Sequence, residues 1–261
     1  MKRLEGKVAI VTGAGRGIGR GIAIAYAREG ANVVVASRTQ SSIDETVSAI
    51  RADGGSALGI ACDVGRRDDV FAAVAKTVAA FGTVDILVNN AQGFGTEQRP
   101  AGTPRLTPLE DFDEEEWEYT FRTGTLATLW GMKAVFPSMK DRGGDIINFG
   151  SALGQIGGEG TAAYNATKEA IRALSRTAAR EWGKYKINVN VICPAVSTDA
   201  MRGYLGAHPE QAEAMLAQVP LRRWGDAVKD AGGLAVFLAS GDSDYLTGMT
   251  FQLDGGATMH A

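Results

Sequence analysis

The chain has 261 residues, 45% of them hydrophobic and 22% charged, with 27 Lys and Arg against 30 Asp and Glu for a formal charge of −3. That composition excludes a wholly disordered or fibrous protein, the slightly acidic balance offers nucleic acid no electrostatic footprint, and no apolar run approaches the roughly 18 residues of a membrane span. Met1-Lys2-Arg3-Leu4-Glu5-Gly6 shows no signal-peptide pattern, and Cys62 and Cys193 sit in apolar segments as buried free thiols, so a soluble cytoplasmic protein is expected.

Apolar periodicity predicts strands and helices in alternation. The chain opens with a strand over Lys7–Thr12, a helix over Gly17–Glu29, a strand over Asn32–Ser37, a helix over Ser41–Asp53 and a strand over Ser56–Cys62. A helix over Arg67–Phe81 and a strand over Val84–Asn89 come next, then a helix over Asp113–Asp141 and a strand over Asp145–Gly150. The last elements are a helix over Thr161–Gly183, a strand over Ile187–Cys193, a helix over Asp226–Ala239 and a strand over Met249–Asp254. Continuous β-branched runs such as Val33-Val34-Val35 suit strands covered on both faces. The alternation predicts an α/β, doubly wound parallel sheet in one domain spanning residues 1–261. Two stretches break the rhythm: Gln92–Phe112, and Ser197–Asp226 with a short helix over Pro209–Gln218. Both come after strands at the carboxyl edge of the sheet, where ligands bind, so both are expected to form the rim of a site.

The first strand runs into Thr12-Gly13-Ala14-Gly15-Arg16-Gly17-Ile18-Gly19 and then a helix. Glycines there let the backbone turn sharply and approach a pyrophosphate, whose charge the helix N-terminus favours. An acid at the end of the second strand would hold a ribose diol and favour NAD(H). Ser37-Arg38-Thr39 has none, and Arg38 with Arg16 suits a 2′-phosphate, so NADP(H) is the expected cofactor.

Tyr164-Asn165-Ala166-Thr167-Lys168 puts a phenol and an ammonium at i and i+4 on one helical face. A free phenol has a pKa of about 10, and the ammonium is expected to lower it toward acid–base use. Ser151, at the end of the preceding strand, is placed to hold a carbonyl oxygen.

These motifs resemble those of the single-domain short-chain dehydrogenases/reductases, close to the 3-oxoacyl-reductase type, from about Leu4 to Gly256. The resemblance covers the Thr12–Gly19 loop, Asp63-Val64 beside the adenine, Asn89-Asn90-Ala91, Ser151, Tyr164 and Lys168, and Leu253-Asp254-Gly255-Gly256. It implies a three-layer, Rossmann-like sheet of about seven strands, with Pro194, Val196 and Thr198 near the nicotinamide. It also implies the reduction of a ketone or oxidation of a secondary alcohol, with Tyr164 as acid and base, Ser151 orienting the oxygen and Lys168 binding the ribose. A small-molecule partner and a homotetramer built through the two long helices and the last strand are further implied. The substrate stays open among acyl, steroid-like, terpenoid and alicyclic ketones.

Four departures qualify the match: Gln92 follows Asn-Asn-Ala where the family has glycine, Ala195 follows Pro194 where it has glycine, the Gln92–Phe112 stretch is long, and Gly124 stands where an asparagine completes the family's tetrad. Glycine keeps its carbonyl, so activity with a slower proton relay is expected. The alternative is a non-catalytic NADP-binding sensor or scaffold on the same fold. Asp111–Glu116 reads as acid at a helix start, and isolated His208 and His260 offer no zinc spacing, so no metal is expected.

Overall fold

The computed structural model describes residues 2–198, 203, 206 and 209–259. Seven parallel strands make the central sheet: β1 (Val8–Thr12), β2 (Asn32–Ser37), β3 (Ser56–Ala61), β4 (Ile86–Asn89), β7 (Gly144–Phe149), β8 (Ile187–Pro194) and β9 (Thr250–Leu253), in the order β3-β2-β1-β4-β7-β8-β9. The order runs outward in both directions from β1 and β4, so the crossovers from those two strands leave on opposite faces and open a crevice at their carboxyl ends.

Successive side chains of a strand point to opposite faces, and here they feed two cores. Ala9, Val11, Val33 and Val35 pack with Ile22 and Tyr26 of α1 (Gly17–Arg28) and Ile43 and Ile50 of α2 (Gln40–Ala52). Ile10, Val34 and Leu87 pack on the other face with Val70 and Val74 of α3 (Arg67–Phe81) and with Met132, Val135 and Met139. Each fully buried Ile or Leu contributes about 2 kcal/mol. Cys62 and Cys193 are buried free thiols, joined in no disulfide. The polar groups at the amino edge of the sheet satisfy one another: Asp85 is buried and takes the Val8 backbone N–H at 2.9 Å.

The helix expected over Asp113–Asp141 is divided. Asp113 caps α4 (Glu114–Phe121) by accepting the Glu115 N–H at 2.9 Å, so the acidic run meets the helix start as read from the sequence. A π-helical turn over Arg122–Leu126 then leads into α5 (Ala127–Met139). The helix expected over Asp226–Ala239 likewise opens with a π turn, Ala227–Gly232, before α9 (Gly233–Leu238). A Cβ on Gly232 would lie 2.5 Å from Ala25 Cβ, so this turn is set by its close approach to α1. The rim stretch holds a hairpin of β5 (Phe94–Gly95) and β6 (Pro100–Ala101), and a five-residue helix, α6 (Ala152–Ile156), comes after β7. Helix α7 covers Ala162–Trp182, and α8 covers Pro209–Ala217. His208 and His260 lie outside the described residues.

Candidate active site

The glycine loop joins β1 to α1 with Gly13 at φ 67° and Gly17 at φ 57°, the left-handed region that only glycine enters without strain. A Cβ on Gly13 would come within 2.8 Å of Asn90 Nδ2, and one on Gly19 within 2.6 Å of the same atom. A Cβ on Gly15 would overlap Ser42 Oγ. The loop is stapled to β4 across the crevice: Thr12 Oγ1 accepts from the N–H groups of Asn90 at 3.0 Å and Ala91 at 3.1 Å, and Asn90 Nδ2 donates to Thr12 O at 2.9 Å.

A cleft of about 270 Å³ opens above this loop. Gly13, Arg16, Gly17 and Ile18 form its floor, while Ser37 and Arg38 from β2 and Asp63 and Val64 beyond β3 form one wall. Asn90 and Ala91 line it from β4, and Thr198 enters from beyond β8. Asp63 spends one oxygen, Oδ1, on the Gly65 N–H at 2.9 Å. Pro194 ends β8 outside this lining, and Val196 is buried beside it, bridged to Gly225. A glycine loop packed this closely, at a helix N-terminus and lined by two guanidiniums, fits a dinucleotide phosphate.

Around the carboxyl end of β7 the structure gathers Ser151, Tyr164 and Lys168. Ser151 caps α6 by accepting the Leu153 N–H at 3.2 Å, which fixes its hydroxyl at the strand end. Tyr164, on the first turn of α7, stands beside Ser151. Lys168 is buried; its Nζ lies 5.4 Å from the Tyr164 ring centroid and donates to Phe149 O at 3.0 Å.

The electrostatics correct one expectation. Burial pushes the Tyr164 phenol above its ordinary value, and the adjacent Ser151 hydroxyl only partly opposes it. Lys168 does not lower it, because its ammonium is turned to a backbone carbonyl. Burial brings Lys168 itself down to about 8, and lifts the neighbouring Cys193 thiol to about 11. Gln155 Nε2 donates to that thiol at 3.3 Å.

Two of the departures occupy one place. The Gln92 amide reaches into the π turn, where Nε2 donates to Thr120 O at 3.1 Å and to Thr123 Oγ1 at 3.3 Å. Its Oε1 has no partner and lies 2.6 Å from where a Gly124 Cβ would stand, and Thr167 Cγ2 fills the same spot from α7. Glycine at 124 is therefore what admits the longer side chain at 92.

Three residues of the site escape the sequence patterns. Phe94 packs on Tyr164, ring centroids 5.5 Å apart. Tyr119 and Thr123 of the divided helix face the cleft, and Arg38 Nη1 donates to the Tyr119 hydroxyl at 3.0 Å. These contacts join distant segments, and no local pattern marks them; a glycine in mid-helix at 124 is the one signal nearby.

A family model described as enoyl-(acyl carrier protein) reductase matches residues 13–258. The chain is 40% identical to a 12α-hydroxysteroid dehydrogenase of Clostridium sp. over 97% of its own length and 96% of that protein. A crystal structure of a gluconate 5-dehydrogenase from Beutenbergia cavernae, described as putative and NAD(P)-dependent with bound NADP, superposes with a TM-score of 0.86 at 34% identity, covering 97% of each chain. A 7α-hydroxysteroid dehydrogenase complexed with NADH and 7-oxo glycochenodeoxycholic acid superposes with a TM-score of 0.88 at 32% identity, covering 97% of this chain and 95% of that one. With its parallel sheet, its glycine cradle and these relatives, the chain belongs to the short-chain dehydrogenase/reductase family of oxidoreductases.

Proposed function

We propose that the protein is an NADP(H)-dependent oxidoreductase that interconverts a ketone and a secondary alcohol, with Tyr164 as acid and base. The observation that carries this reading is the convergence of Ser151, Tyr164 and Lys168 at the end of β7, with Ser151 held there as the cap of α6 and Lys168 one turn from Tyr164. The glycine loop holds the pyrophosphate, Arg38 and Arg16 meet the 2′-phosphate, Asp63 and Val64 meet the adenine, and Pro194, Val196 and Thr198 are assigned to the nicotinamide end. When bound, the nicotinamide supplies or takes up the hydride.

In reduction, the Ser151 hydroxyl donates a hydrogen bond to the substrate carbonyl oxygen and holds it against Tyr164. The phenol gives its proton to that oxygen as the carbonyl carbon gains the hydride, so the products are the alcohol and a phenolate. A phenol raised by burial is protonated at neutral pH, the form this direction needs. Lys168 holds the ribose and relays a proton from solvent back to the phenolate. Oxidation runs the same steps backward.

The rim at 92–112 frames the substrate, together with the 197–226 stretch, part of which lies outside the described residues. Leu153 and Ile156, 40% and 63% exposed, come directly after Ser151, and Leu106 is brought toward them by the Thr107 N–H donating to Gly160 O at 2.9 Å. This apolar border, together with relatives named for hydroxysteroids, supports a bulky hydrophobic ketone over a sugar acid. Assembly as a homotetramer belongs to the same reading. The test is NADP⁺ reduction with a panel of hydroxysteroids, other secondary alcohols and gluconate. Turnover of a hydrophobic alcohol that is lost in Tyr164→Phe is expected. Cofactor binding without turnover across the whole panel would leave the sensor reading in its place.

A further inference from the structure

The NADP(H) reading assigns Arg38 to the 2′-phosphate, yet Arg38 is exposed and its side chain is long and rotamer-rich. Its guanidinium is nevertheless held. Nη1 donates to the hydroxyl of Tyr119, which comes from α4 on the other side of the cleft. Tyr119 is a fixed post. It is buried, its ring is backed so closely by Gly93 that a Cβ there would lie 2.8 Å from Cε1, and its backbone carbonyl takes the Thr123 hydroxyl at 2.8 Å. Above the ring sits the Arg122 guanidinium, 5.7 Å from the centroid, itself paired with Glu97 of the rim hairpin at 2.6 Å.

We propose that Tyr119 is a cofactor-specificity residue: it positions Arg38 over the ribose pocket and offers its own O–H to the 2′-phosphate. The donor inventory allows both at once. A phenol oxygen can accept from the guanidinium while its hydrogen donates to an anion, and Arg38 keeps its remaining N–H donors for the same group. Pre-ordering a flexible arginine removes a cost that binding otherwise bears. A ribose bearing only hydroxyls gains little from either group, so the effect falls on NADPH and leaves NADH nearly unchanged. Asp63 and Val64 line the same cleft beside Tyr119, which puts the post at the adenosine end and away from the reacting carbon.

The proposal rests on the NADP(H) reading, and binding titrations separate the two. NADPH and NADH affinities are measured by cofactor fluorescence for the wild type, Arg38→Ala, Tyr119→Phe and the double variant, with the melting temperature of each cofactor-free protein. Tyr119→Phe removes one oxygen and is expected to weaken NADPH about tenfold or more, the loss of one hydrogen bond to a charged group, with NADH within about twofold and melting unchanged. Arg38→Ala is expected to weaken NADPH more, and adding Tyr119→Phe to it should cost less than Tyr119→Phe alone, because the two act through one another. If Arg38→Ala leaves the NADPH/NADH ratio at its wild-type value, the NADP(H) reading fails and takes the proposal with it. If Arg38→Ala collapses the ratio while Tyr119→Phe leaves it unchanged, or weakens both cofactors alike, the reading stands and the role of Tyr119 is overturned.

Discussion

The two ends of one sheet handle buried polar groups in opposite ways. At the amino edge Asp85 accepts the Val8 N–H, its own N–H donates to Val8 O, and the Asp145 N–H donates to Asp85 O, each at 2.9 Å. There these backbone and carboxylate groups close on one another, with Thr83 Oγ1 just before β4 the exception. At the carboxyl edge Ser151, Tyr164 and Lys168 gather beyond β7, and Gln92 Oε1 and Thr167 Oγ1 are buried with no partner. Both edges are built from the same β-branched strands, so the hydrophobic pattern cannot be the cause of the difference. The connecting segments are: short closures at one edge, the phosphate-type loop and long rim segments at the other. An edge that satisfies itself adds stability, whereas one that leaves groups unsatisfied keeps them for a ligand.

Four experiments break or sharpen this contrast. The largest effect is expected at the carboxyl edge. Tyr164→Phe should lower turnover by about a thousandfold or more, the range for removing a general acid, while NADPH binding and melting stay close to wild type. Retained turnover would take the phenol out of the chemistry.

Next, Gly124→Asn places a Cβ 2.6 Å from Gln92 Oε1 and against Thr167. Overpacking should cost about 2 kcal/mol of stability and most of the activity. Gln92→Gly in the same chain should recover part of both, by thermal melting and steady-state rates, the rest being held by Thr167; a double variant no better than Gly124→Asn would show the two positions to be independent.

A smaller effect is set by pH. Lys168 is held at about 8 by burial, so its charge is lost as pH rises through that value, and kcat/KM for reduction should fall on that limb. A profile flat to pH 10 would separate Lys168 from the rate.

The smallest effect belongs to the amino edge. Burial raises Asp145 to about 7 from 3.8, so the folded chain binds more protons than the unfolded chain between those values, and stability falls as pH rises through the window. Asp145→Asn should therefore melt higher than wild type at pH 8, with the gap narrowing at pH 5, and turnover should not change.

Much of this contrast is legible in the sequence. The seven strands are each read within two residues of their observed ends, several of them from continuous apolar runs that a sheet covered on both faces leaves. Ser151, Tyr164 and Lys168 are legible for a different reason, since fixed offsets from a strand end place them on one side of the crevice. The broken helix is not. Its π turn reflects the side chains packed against it, with Thr167 from one side and Gln92 from another, and helical periodicity carries no trace of either. Tyr119 stays hidden likewise, because its partner Arg38 is 81 positions away and nothing local marks Tyr119. The depressed phenol expected from the Tyr–Lys spacing fails because spacing gives proximity but neither burial nor the direction an ammonium points.

The shared volume at Gln92 and Gly124 also imposes an order on descent. A chain that begins with a small residue at 92 and a branched amide at 124 cannot acquire glutamine first, because the space is taken. It must shrink position 124, pass through a stage with a hole beside Thr167, and only then fill it from the β4 side. Ancestors along that route are expected to be less stable than either endpoint, and reconstructing the intermediate with glycine at both positions would reveal the dip.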